Sequence, residues 1–101
     1  MNKKDNLIEN KFSLACIQHQ KGNLNKAENL YQEILKINPK HFQTLGNLGY
    51  LFYQMKKYDK AKYFYQKALK FKSNYFEIYY NLGILFIDIK KYDDSIYSFK
   101  K

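Results

Sequence analysis

Cys16 and His19 stand three residues apart, a spacing that sets both on one face of a helix. A thiol beside an imidazole is the beginning of a nucleophile–base pair, but such a pair also needs an orienting group and an oxyanion site. At the matching phases further along, the chain carries Tyr50 and Tyr53, then Ile84 and Ile87. That series reads as the lining of a surface, and no catalytic residue is expected. His41 lies near a predicted helix start and is expected in solvent. A metal centre made of Cys16, His19 and His41 would lack groups to orient its ligands, so no metal is expected. Asp93-Asp94 reads as a helix start, where negative charge is favoured, rather than as a working carboxylate pair. The four glycines form no phosphate-cradling loop, and no cofactor is expected.

The elements that must position these residues follow from an internal repeat, the first thing to seek in a chain of this kind. Leu14, Leu48 and Leu82 recur at a step of 34 residues. The same step carries Ala15 to Gly49 and Gly83, Ala27 to Ala61 and Ser95, and Tyr31 to Tyr65 and Phe99. Asn47-Leu48-Gly49 returns as Asn81-Leu82-Gly83, and Lys56-Lys57-Tyr58-Asp59 as Lys90-Lys91-Tyr92-Asp93. The units run 8–41, 42–75 and 76–101, the third incomplete, within a single domain of 1–101. Each unit reads as two helices: Leu45, Leu48, Gly49, Phe52 and Met55 form one apolar stripe, and Tyr58, Ala61, Tyr65, Ala68 and Leu69 another. Six helices are expected, near 5–20, 24–37, 40–54, 58–71, 74–88 and 92–101, in three antiparallel pairs without a strand. Gly22, Lys56-Lys57 and Lys90-Lys91 mark the bends, and Asn38-Pro39 and Ser73-Asn74 the unit boundaries. Asn25, Asp59 and Asp93 are the expected caps of the second helices. Ala15, Gly49 and Gly83 face Ala27, Ala61 and Ser95, which would let paired helix axes approach closely.

With these residues in hand, the sequence resembles the tetratricopeptide repeat family. The resemblance rests on Leu48-Gly49, Leu82-Gly83, Phe52, Phe86, Ala27, Ala61, Tyr31, Tyr65, Phe99, Ala68 and Pro39. It covers residues 8–101 and departs from the family pattern at Lys11 and Gln18, as an amphipathic end repeat would. It implies an all-α, right-handed helical solenoid that acts as a protein-interaction module. The first helix of each unit would line a concave groove for a peptide or helix of a partner protein. Phe12, Ser13, Cys16 and His19 would face that groove from the first unit, with Glu9 and Gln20 beside them. Gln43, Asn47, Tyr50, Tyr53 and Gln54 would do so from the second. Glu77, Tyr80, Asn81, Ile84 and Asp88 would do so from the third, with Ile87. Asn47 and Asn81 match the phase of backbone-holding asparagines in the repeat arms of O-linked N-acetylglucosamine transferases, although equal weight falls on a role in bonding neighbouring helices. An alternative function is therefore an appendage of a larger enzyme, such as a glycosyltransferase, that presents protein substrate. A carboxylate clamp for acidic chaperone tails needs Lys, Asn, Asn, Lys and a basic residue where this chain has Phe12, Cys16, Asn47, Glu77 and Asn81, which argues against that partner.

Composition bounds the remaining choices. Hydrophobic residues at 46% and charged residues at 27% suit a globular chain. No apolar run approaches the roughly 18 residues of a membrane helix, and the first residues lead into no signal core. Cys16 is the single cysteine, which excludes a disulfide framework. A reducing compartment, most simply the cytoplasm, is expected. The net charge is +9, carried by lysines without one arginine. Lacking the forked donor that grips guanine and phosphate, the chain is not expected to bind nucleic acid, nor a membrane, and its lysines read as a solvated outer face and as a mark of A+T-rich coding. The last helix would leave Tyr92, Ile96, Tyr97 and Phe99 without a downstream neighbour, so either a longer native chain or self-association through the C-terminal end is expected.

Overall fold

The computed structural model describes the backbone of residues 2–100 and the side chains of residues 2–94. Five helices follow one another: α1 (Lys3–Gln20), α2 (Leu24–Ile37), α3 (Phe42–Gln54), α4 (Tyr58–Phe71) and α5 (Phe76–Lys100). Among the described residues there is no strand. The first two units are the expected antiparallel pairs, α1 against α2 and α3 against α4.

The two bends that close these pairs share one backbone device. After α1, Gly22 adopts φ 80°, its N–H donating to the His19 carbonyl at 3.0 Å and that of Asn23 to Gln18 at 2.9 Å. After α3, Lys56 adopts φ 60°, its N–H donating to Tyr53 at 2.9 Å and that of Lys57 to Phe52 at 2.8 Å. Each is a left-handed residue that turns the chain and satisfies the last free carbonyls of a helix. Lysine pays for this conformation with steric strain that glycine avoids.

The third unit departs from expectation. The sixth helix is not separate, because α5 runs unbroken through Lys90-Lys91. Nothing between Asp88 and Asp93 prevents this: the segment holds no glycine or proline. A bend there would again put a lysine in the left-handed region, and in the second unit that strain is offset by α4 packing on α3. Phe86 is therefore 48% exposed where its counterpart Phe52 is buried. Gly83 meets nothing within 4 Å among the described residues, whereas a Cβ on Gly49 would lie 2.6 Å from Tyr65 Cε1. Ser95, Ile96, Tyr97 and Phe99 lie outside the described side chains.

The expected caps also differ. Asn23 and Lys57 occupy the cap positions of α2 and α4 and make no side-chain capping bond. Asn25 and Asp59 lie within the first turns, and Asp93 lies inside α5. The side-chain cap that does form is at α1, where Asn2 accepts from the Asp5 N–H at 2.8 Å. The core centres on α3, which buries Leu45, Leu48, Leu51 and Phe52 against Tyr31, Ala61, Tyr65, Ile78 and Leu85. Leu14, at the phase of Leu48, is 47% exposed together with Leu7 and Ile17. Among the described residues α1 packs chiefly on α2, which leaves that stripe uncovered, whereas α3 packs on both α2 and α4.

Candidate functional site

A trough crosses α1, α3 and α5. Its first recess, of about 340 Å³, is lined by Cys16, His19, Gln20, Tyr31, Asn47, Tyr50 and Gln54. Its second, of about 280 Å³, is lined by Gly46, Asn47, Tyr50, Tyr75, Glu77, Ile78 and Asn81. Asn47 and Tyr50 belong to both, so the two recesses adjoin at these α3 side chains. The one-turn spacing of Cys16 with His19, of Asn47 with Tyr50, and of Glu77 with Asn81 aims these side chains the same way from three helices.

Polar bonds tie the trough walls together. His19 Nε2 lies 2.6 Å from Gln54 Oε1 and Nδ1 lies 2.9 Å from the Tyr31 hydroxyl. The amide oxygen can only accept, so Nε2 donates to Gln54, while Nδ1 pairs with the Tyr31 hydroxyl. His19 thus fastens α1 to both α2 and α3, and neither ring nitrogen is free to act on Cys16. The thiol instead receives a long bond of 3.6 Å from Asn47 Nδ2. Burial pushes the Cys16 thiol upward, outweighing the opposing bonds from Tyr31 and Asn47. That is the wrong direction for a thiolate nucleophile. Burial likewise raises Tyr31. Among the described residues no group of His, Cys, Asp and Glu is placed to hold a metal ion, and no helix is long and apolar enough to cross a membrane.

The remaining expected groove residues divide by position. Tyr53 donates its hydroxyl to Asp88, pinning α3 to α5. That bond is the largest reason the phenol is pushed up to about 12, with burial and the carboxylate charge adding to it. Phe12 is half-buried, with His41 edge-on at 5.4 Å and Tyr31 tilted at 6.4 Å. Ser13 and Gln43 are exposed, Tyr80 is 71% exposed, and Ile84 is half-buried; none of these four lines either recess. His41 is not solvated as expected: it is half-buried, with Nδ1 2.8 Å from Thr44 Oγ1, and burial lowers its pKa. Tyr31, Gly46, Tyr75 and Ile78 were not foreseen in the trough. A Cβ on Gly46 would meet Ile78 Cδ1 at 2.9 Å and Tyr75 Cε2 at 3.2 Å. A second glycine inside α3, at a cost of roughly 1 kcal/mol to the helix, is the sequence signal of that close approach.

Two family models match overlapping parts of the chain. One, described as a TPR repeat, matches residues 49–88. The other, described as a tetratricopeptide repeat, matches residues 18–62. Together they span residues 18–88, well over half the chain and the whole of α2, α3 and α4. No individual characterised protein matches the sequence.

Proposed function

Because the chain belongs to the tetratricopeptide-repeat family, whose repeats generally mediate protein–protein interaction, we propose that it is a single-domain interaction module holding an extended peptide of a partner protein in the trough. The observation that carries this is the shared lining of the two recesses by Asn47 and Tyr50. Adjoining recesses across three helices offer a path several residues long. Asn47 and Asn81 are spaced along it by one repeat, and each amide offers two donors and one acceptor to a peptide's N–H and C=O groups. Tyr50, 45% exposed, adds apolar area with little rotamer entropy to lose. The module works without chemistry of its own, since His19 is fully engaged and Cys16 is held as a thiol.

The test is binding of peptides selected from a random library on the immobilised chain. Asn47→Ala combined with Asn81→Ala is expected to weaken them by about 0.5–1.5 kcal/mol for each hydrogen bond lost, with the helical circular dichroism and melting temperature retained. Unchanged affinity in the double variant would return both asparagines to a purely structural role.

A further inference from the structure

Eighteen lysines are spread over 101 residues, yet among the described residues none lines the trough. Of the twelve residues around the two recesses, the one carboxylate is Glu77 and the rest are neutral side chains apart from His19. The lysines gather elsewhere. On α4, Lys60, Lys62 and Lys70 are exposed and Lys67 half-exposed, with Asp59 as that helix's acidic residue. The molecule is therefore divided electrostatically, with a cationic exterior around a channel of amides, phenols and one negative charge.

We infer that the trough selects a basic peptide: an extended segment whose lysine or arginine side chain sits against Glu77 while Asn47 and Asn81 meet its backbone. Glu77 is exposed in the first turn of α5 and lines the second recess beside Tyr50 and Tyr75. A cation placed there meets a carboxylate and aromatic faces together, and both attract it. The carboxylate is close enough to act inside the trough, since its charge adds to the effect of burial in raising the phenol of Tyr75. An acidic peptide would find repulsion from Glu77 and no lysine in return. Repulsion of a basic peptide by the outer lysines is largely screened beyond about 8 Å at physiological ionic strength.

This inference rests on the trough being a peptide groove, and the test separates the two. A random peptide library is selected on the immobilised 101-residue chain at physiological salt. The selected peptides are then measured by fluorescence anisotropy against wild type, Glu77→Gln, and Asn47→Ala with Asn81→Ala. Expected are peptides with lysine or arginine at one fixed position, weakened about two- to fivefold by Glu77→Gln, as suits one exposed ion pair. Replacing that basic residue with glutamine in the peptide should remove the sensitivity to Glu77→Gln. Selected peptides that depend on the two asparagines but are neutral or acidic throughout, or basic peptides indifferent to Glu77→Gln, overturn the charge selection alone. Peptides that bind the double asparagine variant as tightly as wild type overturn the groove, and this inference with it. Glu77 is exposed, so its variant should keep the fold, and circular dichroism verifies this.

Discussion

Gly49 and Gly83 stand at one phase of the 34-residue step, and they answer to different surroundings. Gly49 is buried where the ring of Tyr65 crosses it, close enough that a methyl group would lie 2.6 Å from Cε1. Tyr65 is itself 1% exposed and has nowhere to go. Gly83 is exposed and meets nothing within 4 Å among the described residues. Gly49→Ala is therefore expected to destabilise by about 1–3 kcal/mol through overpacking. Gly83→Ala is expected to stabilise by up to about 1 kcal/mol, because glycine inside a helix carries an entropic cost that alanine avoids. Thermal melts of the two variants decide it: shifts of the same sign would mean that the two glycines share one environment. The trough residues obey the same distinction between phase and surroundings. Asn47 and Asn81 were legible as partners because a repeat copies position. Tyr75 was not, because it lies in the turn before α5 and reaches the trough only where Gly46 lets it approach.

At the scale of elements, periodicity determined four of the helices to within two residues, and α3 and α4 owe that to punctuation as much as to pattern. Lys56-Lys57 bends the chain, while the identical Lys90-Lys91 does not. The dipeptide is permissive in both places. In the second unit, the packing of Tyr65 on Gly49 and of Ala61 in the core offsets a left-handed lysine. Local sequence does not encode that energy, so the sixth helix was not distinguishable from an extension of the fifth. Backbone chemical shifts check the contrast directly. Lys56 should show a left-handed Cα shift and Lys90 a right-handed helical one, with Ile89 to Asp93 continuous in helical shifts and slow in amide exchange. A left-handed shift at Lys90 would restore the expected third pair. Leu14 and Phe86 make the same point from opposite ends of the stack. Their counterparts Leu48 and Phe52 are buried by neighbouring helices on both sides, and burial in a repeat array belongs to the neighbour as much as to the residue.

The whole molecule carries a net charge of +9 and, among the described residues, one ion pair, Lys11 to Glu33 at 2.9 Å on the surface. Many lysines do not simply project into water. Lys60 lies 5.3 Å from the Phe52 ring, Lys72 lies 5.1 Å from Phe42, and Lys62 lies 5.8 Å from Phe86. Their ammonium groups sit over aromatic rings as cation–π contacts, which a reading of lysines as a solvated face did not anticipate. Cation–π attraction acts at contact distance, so screening barely touches it. Repulsion among like charges acts over the Debye length, about 30 Å at 0.01 M salt and about 10 Å at 0.1 M. Folding compresses those charges, and the repulsion opposes it most at low salt. Raising sodium chloride from 0.01 M to 0.3 M should therefore increase stability. A gain of about 1 kcal/mol would raise the melting temperature of a domain this size by about 4–8 °C. Lys57→Glu, an exposed change that lowers the net charge by two, should raise the low-salt melting temperature and flatten its salt dependence. Chloride is the salt to use, because sulfate strengthens apolar burial by exclusion and would raise the melting temperature of any fold. A melting temperature that falls with added chloride would mean that attractive pairs, not repulsion, dominate the surface.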